Sequence, residues 1–283
     1  EGDPVGSRIA VGNMGLMCLR LGRFGEALAH FASSLRAAQV LRHRRGEAWS
    51  LLAIAVLGVK GGALAFAERR ARRALELASR LGDRSIACDA RLTLAEILAA
   101  SARNPEAVLE AEAGLSEALA LEIGYSASAV RAVLAELVAG DEPDRARTLA
   151  QLVLAEPATS PTYRATALRV LAELDVASGQ VERAWMGLSE ALELSGEQAD
   201  ERLWSAALKV LPLMGDEALV DALSVTVRQA LSGRARAWPA LPCDDDVDEA
   251  ARLDGPCADT WRQRRVVLAL EKQLEKGSVE ANR

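Results

Sequence analysis

The sequence predicts an all-α solenoid of about six antiparallel helix pairs, followed by a C-terminal capping helix. Three observations predict this fold. Helix-forming Ala, Leu, Arg and Glu dominate the 283 residues, while aromatic residues make up 4%, and this composition favours helices over strands. Glycines recur at a regular interval, and stripes of small side chains follow them. Together the two patterns indicate a repeated helix-turn-helix unit of about 40 residues.

The glycines that we expect to end the first helix of each pair are regularly spaced. Gly22, Gly62, Gly140, Gly179 and Gly215 lie 40, 78, 39 and 36 residues apart, so one interval covers two periods. Glycine suits these positions because a helix often ends in a left-handed conformation, which a Cβ makes costly. A fixed period of this size is typical of repeat proteins.

The second helix of each pair carries a stripe of small side chains. In the first pair the small residues are Ala27 and Ser34, seven positions apart, and Phe31 and Leu35 complete the stripe. Residues four and seven apart share one face of a helix, and small side chains there allow a neighbouring helix to approach closely. The same spacing returns at Ala67, Ala71, Ala74 and Leu75, at Ala111, Leu115, Ala118 and Leu119, and at Ala184, Leu188, Ala191 and Leu192.

The first helices carry a packing stripe of their own. It comprises Val11, Met14, Gly15 and Cys18 in the first pair; its counterparts are Leu51, Ile54, Ala55 and Gly58 in the second, and Leu168, Leu171, Ala172 and Asp175 in the fifth. Apolar and small residues three, four and seven apart indicate one buried helical face. We therefore expect these side chains to pack against neighbouring helices.

These residues resemble tetratricopeptide repeats. Met14-Gly15, Gly22-Arg23-Phe24, Ala27, Phe31 and Ser34 follow the family's pattern, with Val11 in place of its usual Trp. The resemblance covers roughly residues 8–232 and implies a right-handed superhelix whose concave wall is lined by the first helices. The period exceeds the family's usual value of about 34, and we expect longer linkers at Ser79–Arg84 and Leu121–Ser126. Such long repeats are similar to those of bacterial maltose-activator-like regulators and signalling ATPases or kinases.

Beyond the repeats, the pattern changes. We assign residues 1–232 to a helical repeat domain, 233–257 to an irregular Pro- and Asp-rich loop, and 258–283 to a capping helix and tail. Trp261, Val267, Leu270 and Leu274 lie on one side of this last helix. A terminal repeat needs a cap because its apolar face has no neighbour. The alternative is a segment that docks into the groove or onto another domain.

The sequence contains no catalytic motif that we recognise: no phosphate-binding loop, His-Glu-x-x-His or nucleophile elbow. The two histidines, His30 and His43, have no Cys or acid at ligand spacing. We expect Cys18 and Cys88 to be small buried apolar side chains. Cys243 and Cys257 flank the irregular loop and are either free thiols or a pair in an oxidising compartment. We predict a protein without catalytic residues, metal or cofactor.

The net charge of -6 argues against a dedicated nucleic-acid binder, although residues 1–100 carry a surplus of 6 positive charges. A candidate basic patch has three alternative roles: a solvated face, a site for an acidic protein, or a site for nucleic acid. It comprises Arg42, Arg44, Arg45, Arg69, Arg70, Arg72 and Arg73. The apolar stretch Ala48–Val59 is too short for a membrane span, which needs about 20 residues, and no secretory signal is visible. We expect a cytoplasmic protein.

The resemblance places a binding groove on the first helices, at positions off the packing stripe. Chaperone-tail binders of the family carry Lys and Asn there; Asn13 matches, but Gly12 replaces the Lys. The apolar residues instead favour an amphipathic helix or an extended apolar peptide, unless another segment of the chain covers them. The candidate groove comprises Asn13, Leu16, Arg20, Trp49, Leu52, Val56, Arg169 and Glu173.

These features predict a non-catalytic protein-protein interaction scaffold. It would bind a peptide, a helix or a neighbouring domain, within a larger bacterial signalling or regulatory protein. The preference for Arg over Lys and the abundance of Ala indicate a GC-rich bacterial genome. The alternative is a sensor domain for a small molecule or peptide in a transcriptional regulator or a signalling ATPase or kinase.

Overall fold

The computed structural model describes residues 3–196, 200–215 and 217–237, and these residues form twelve α-helices without a strand. The all-α fold and the six helix pairs are therefore confirmed. The predicted capping helix, Cys243 and Cys257 lie outside the described residues. The helices are α1 (Pro4–Arg20), α2 (Phe24–Val40), α3 (Arg44–Gly61), α4 (Leu64–Leu81), α5 (Arg84–Ala100), α6 (Asn104–Ala120), α7 (Gly124–Val138), α8 (Pro143–Ala155), α9 (Pro161–Ala177), α10 (Val181–Ser195), α11 (Glu201–Met214) and α12 (Glu217–Ala237).

The described helices belong to two compact units. The first unit holds α1 to α6, up to Glu122, whereas the second begins at Ile123 and holds α7 to α11 and α12 as far as Arg234. Helix α12 continues to Ala237, so the loop that we predicted from residue 233 does not begin before residue 238.

The first unit has a strict turn geometry. At each of the first five turns a residue with positive φ is followed by one whose N–H donates to a carbonyl five residues back, as Arg23 does to Cys18 at 2.8 Å and Arg103 to Leu98 at 2.9 Å. This bond satisfies a carbonyl that the helix end leaves free. The turn residues recur every 20 positions, with φ from 52° to 78°: Gly22, Arg42, Gly62, Gly82, Ala102 and Glu122. Ala102 thus occupies the place of the glycine missing from the predicted period.

The long period comes from the helices and not from the linkers. Ser79, Arg80 and Leu81 form the end of α4, and α5 begins at Arg84, so Gly82 and Asp83 alone separate the two helices. The prediction of longer linkers at Ser79–Arg84 and Leu121–Ser126 is wrong, since α7 also begins as early as Gly124. The helices of the first unit contain 17 or 18 residues.

Small side chains hold the first unit together, as the stripes predict. The small residues Ala27, Ala67 and Ala71 are fully buried, and so is Phe31, the middle residue of the first stripe. Phe31 fits against α1 because Gly15 has no side chain: a Cβ there would lie 2.5 Å from the Cε1 atom of Phe31. Helices α2 and α4 each pack both on their own first helix and on the first helix that follows.

The second unit is less regular. Helices α7 and α8 contain 15 and 13 residues. Gly179 and Gly215 have the predicted left-handed conformation, with φ of 75° and 74°, but Gly140 does not, and that prediction is wrong. Here α7 ends at Val138, the N–H of Glu142 donates to its carbonyl at 2.8 Å, and Pro143 begins α8. A hydrogen bond to the carbonyl four residues back therefore replaces the glycine closure.

A buried carboxylate joins three helices of the second unit. Asp175 on α9 is 3% exposed, at a packing position that holds the small residues Cys18 in α1 and Gly58 in α3. Its oxygens pair with Arg147 of α8 at 2.7 Å and with Arg183 of α10 at 3.2 Å. Two cations compensate for burial of the charge. Ion pairing thus replaces a part of the small-residue packing.

Candidate functional site

The first helices form the inner layer of each unit. In the first unit α1 contacts α3 and α3 contacts α5, and in the second α7 contacts α9 and α9 contacts α11. Among the described residues, second helices make no comparable contact with one another. Because helices on the inside of a curved array lie closer together, the first helices offer the sheltered surface that a partner would contact.

Most of the predicted groove residues of the first unit reach this surface. Asn13 and Arg20 are exposed, Leu16 and Val56 are partly exposed, and Leu52 is 8% exposed. Leu52 therefore belongs mainly to the core. The others form a surface that is apolar in its centre.

Trp49 is held in place by packing and still reaches solvent. Its ring meets Phe31 edge-on, with 6.1 Å between the ring centroids. A Cβ on Gly12 would lie 2.7 Å from the Cζ3 atom of the indole, so the missing side chain of Gly12 makes room for Trp49. The indole is partly exposed. Trp49 is therefore a rigid aromatic platform on the inner layer.

Two acids extend this surface onto α5. They stand 40 residues after Trp49 and Val56, at Asp89 and Glu96, and both are partly exposed. Burial, together with the like charge of Asp83, raises the pKa of the Asp89 carboxyl to about 6. The predicted groove omitted both acids, although applying the 40-residue period to Trp49 and Val56 would have found them. We name Leu16, Trp49, Val56, Asp89 and Glu96 the inner surface of the first unit.

The inner layer of the second unit carries a charge network instead. Arg169 of α9 is 5% exposed and pairs with Glu136 of α7 at 2.6 Å and with Glu173 at 2.8 Å. Glu136 also pairs with Arg202 of α11. Burial alone would lower the pKa of Arg169, but Glu136, Glu173 and Asp200 outweigh it and raise that pKa. The guanidinium is thus a permanently charged centre that ties three helices together.

This network changes the role of two predicted groove residues. Arg169 is enclosed by its carboxylate partners, whereas the side chains of Glu173 and Arg202 are 47% and 35% exposed. A partner would therefore meet the edge of the network and not its centre. Glu136 and Arg202 were missed because they lie 33 residues to either side of Arg169, and no local spacing connects them.

The candidate basic patch does not form a single surface. Arg45 pairs with Asp83, which lies ten residues beyond Arg73, or about 15 Å along a helix axis. Arg42, Arg44 and Arg45 are thus separated from the arginines on α4. Carboxylates also offset much of the charge, in the pairs Arg44–Glu47, Arg72–Glu68 and Arg73–Glu76, while Arg70 lies 4.8 Å from the ring centroid of Phe66.

The remaining candidates have structural roles. The ring of His43 caps α3 by accepting a hydrogen bond from the N–H of Gly46 at 3.0 Å. Cys18 and Cys88 are buried free thiols, as predicted, and burial raises the pKa of Cys88 to about 11. Within the described ranges, no cluster of three or more His, Cys, Asp or Glu side chains could bind a metal. The helices of those ranges include none that is long and apolar enough to cross a membrane.

The second unit also contains an open cleft of about 310 Å³ between α10, α11 and α12. Its walls are mostly apolar side chains. Trp185 and Leu192 come from α10, Leu211 comes from α11, and Leu219 and Leu223 come from α12. A cleft of this size lies at the lower limit for a small-molecule site.

Comparisons with known proteins agree with this architecture. Residues 7–80 match the family model of the tetratricopeptide repeat, which confirms the predicted resemblance over the first two helix pairs. No curated protein sequence matches the chain significantly. The narrower similarity to maltose-activator-like regulators stays a prediction.

Three solved structures share the fold. A Rap protein complexed with competence and sporulation factor has a TM-score of 0.64 at 15% identity, covering 94% of this chain and 75% of its own. The apo form of RapI has a TM-score of 0.57 at 11% identity, with coverages of 95% and 99%. BtubC from P. vanneervenii has a TM-score of 0.55 at 17% identity, with coverages of 79% and 96%.

Proposed function

We propose that this chain, a helical repeat protein of the tetratricopeptide type, is a non-catalytic scaffold that binds an amphipathic protein segment on the inner surface of the first unit. The observation that carries this proposal is Trp49, an aromatic ring fixed by Phe31 and Gly12 that remains partly exposed. Rigid aromatic side chains in sheltered positions commonly supply most of the binding energy of an interface.

The chemistry of the surface suggests what the partner contains. Leu16, Trp49 and Val56 offer apolar contact, whereas Asp89 and Glu96 offer negative charge beside it. With a pKa of about 6, Asp89 is largely ionised at neutral pH. A basic side chain next to it would relieve the cost of that partly buried charge. We therefore propose a partner segment with an apolar face and at least one Lys or Arg.

The fold supports this function in a general way. The Rap protein of similar fold was solved in complex with competence and sporulation factor, so a helical array of this kind accommodates a bound partner. We further propose that the chain acts within a bacterial signalling or regulatory protein in the cytoplasm, and that the bound segment is a peptide, a helix or a neighbouring domain.

A displayed library of amphipathic peptides tests the proposal. Peptides with basic residues should be enriched, and their affinity should fall at least about tenfold with Val56→Glu and with Asp89→Lys. The matched control is Val40→Glu, which adds the same charge on α2, where Val40 is 82% exposed and lies off the inner layer. If Val56→Glu and Val40→Glu weaken binding equally, or if no basic amphipathic peptide is enriched, the proposal fails.

The cleft in the second unit favours a second candidate function, a small-molecule sensor. A ligand that binds the folded state raises the melting temperature saturably. In a screen of small apolar molecules, Leu223→Arg should abolish any such rise, because Leu223 lines the cleft. A rise that persists in Leu223→Arg places the ligand elsewhere and removes the support for this candidate.

A further inference from the structure

Helix α1 exposes apolar side chains at positions that the other first helices of its unit bury completely. Met14 is 52% exposed and Met17 is 55% exposed. The equivalent residues lie 40 and 80 positions later. They are Ile54 and Leu57 in α3, and Leu94 and Ile97 in α5, and each is 0% exposed. Met14 thus occupies the same position in its helix as the packing residues of α3 and α5, as predicted, but its side chain is exposed instead of buried.

The repeats themselves indicate what covers such a face. Leu94 and Ile97 belong to one buried cluster with Ala67 and Ala71 of α4. The preceding second helix therefore covers a first helix with its stripe of small residues. Among the described helices α1 is the first, and none of them covers Met14 and Met17 in this way.

An ion pair in the adjoining turn follows the same pattern. Arg23 pairs with Glu26 at 2.6 Å, and 80 positions later Arg103 pairs with Glu106 at 2.7 Å. Arg103 makes a further bond, at 3.0 Å, to Glu68 on the covering helix α4. If a helix covered α1 in the same way, an acid on that helix would lie beside Arg23.

We propose that Met14, Met17 and Arg23 form an end surface that docks an amphipathic helix of another protein segment. The helix that fits carries small residues at positions i, i+4 and i+7 and an acid at i+1. Helix α4 itself has this pattern, Ala-Glu-x-x-Ala-x-x-Ala, over residues 67–74. Small residues let the two helix axes approach, the methionine side chains adapt to the facing surface, and the acid pairs with Arg23. This surface is separate from the inner surface of the first unit.

The test adds such a helix and measures the oxidation of individual methionines. A second copy of residues 44–81, which contain no Met, is fused ahead of Gly2. Gly2-Asp3 repeats the dipeptide Gly82-Asp83 that joins α4 to α5, so the fusion reproduces a native turn. Hydrogen peroxide oxidation, followed by mass spectrometry, should be about tenfold slower at Met14 and Met17. Met186, which is 72% exposed, is the internal control and should react at its original rate.

Two matched variants distinguish docking from mere attachment. A flexible Gly/Ser spacer of the same length should give no protection, and Glu68→Arg within the added copy should reduce the protection. A free peptide of residues 63–81, added to the unmodified chain, is the second probe and avoids any folding failure of the fusion; its excess compensates for the marginal stability of an isolated helix. It should slow oxidation of the same two methionines.

Three outcomes would overturn the proposal. In the first, neither the fusion nor the peptide protects Met14 and Met17. In the second, the spacer protects them as well as the added helix pair does. In the third, both methionines are already protected in the unmodified chain at concentrations where it dimerises, so that the occupant is a second copy. The Val56→Glu variant should leave all of these rates unchanged, which separates this surface from the proposed peptide site.

Discussion

The two units are built from the same helix pairs but are held together differently. The first unit uses left-handed turn residues every 20 positions and stripes of small side chains such as Ala67 and Ala71. The second has helices of less uniform length, with 13 residues in α8 and 17 in α9, a turn at Gly140 without left-handed closure, and the buried acid Asp175 between two arginines. The comparison teaches that a regular period requires the same closure at every turn. Where closure varies, specific ion pairs fix how the helices meet.

The inner layers differ in the same way. In the first unit the surface around Trp49 is apolar, and Asp89 carries a raised pKa. In the second unit Arg169 is enclosed by Glu136 and Glu173. A partner that covers the apolar surface and pairs with Asp89 would lower the free energy of the first unit. In the second unit Arg169 is already paired with carboxylates of the same chain, so a partner would add little. For this reason we place the proposed binding site on the first unit.

The largest expected loss of stability is that of Asp175→Ala, which removes the buried carboxylate joining three helices of the second unit. Arg147 and Arg183 would lose the carboxylate that they share, including a hydrogen bond between charged groups at 2.7 Å from Arg147. Because water can solvate both arginines after the change, we expect the free energy of unfolding to fall by about 2–3 kcal/mol, the loss of one strong charged hydrogen bond. Urea unfolding followed by circular dichroism measures this change. The control, Glu190→Ala at an exposed site on α10, should cost much less; equal losses would refute the structural role of Asp175.

Neutralising an acid on the inner layer should raise the stability of the first unit and lower the stability of the second. The pKa of Asp89 in the folded chain, about 6, lies above its ordinary value. Its protonation therefore favours folding: this contribution is fully present below about pH 4 and is lost as the pH rises through 6. Asp89→Asn should stabilise the first unit by about 1–2 kcal/mol at pH 7 and should flatten the pH dependence between 4 and 6.

The matched variant in the second unit is Glu173→Gln. It removes a charged partner of Arg169 and should lower stability at pH 7. Melting temperatures measured from pH 4 to pH 8 compare the two variants. If Asp89→Asn destabilises at pH 7, or if both variants shift stability in the same direction, the distinction between the inner layers is wrong.

The smallest expected changes in stability are those of glycine substitutions in the turns. Gly82 has a φ of 66°, whereas Gly140 lies outside the left-handed region, and a Cβ on either would meet no atom within 4 Å. Backbone conformation alone therefore decides the outcome. Gly82→Ala should destabilise by about 1 kcal/mol, and Gly140→Ala should stabilise by about 0.5 kcal/mol through the unfolded state. Thermal unfolding measures both changes, and the same sign at the two positions would contradict the assigned turn geometries.

Much of the fold follows from local pattern. The stripes at Ala27 and Ala67 and the glycines at Gly22 and Gly62 are local features, because each depends on residues within one helix or one turn. Helix boundaries were harder to predict. Arg42, Ala102 and Glu122 adopt the left-handed conformation without being glycine. The 20-residue interval of the turns would have indicated them.

The sequence alone therefore determines the helix pairs, their period and which helix faces are apolar. The tertiary structure decides which of these faces are covered. Met14 and Ile54 share one register position, yet one is half exposed and the other is buried. Arg169 was predicted to face a partner and instead pairs with Glu136, 33 residues earlier. The physical reason is that helix propensity and amphipathicity depend on nearby residues, whereas burial and ion pairing depend on residues that only folding brings together.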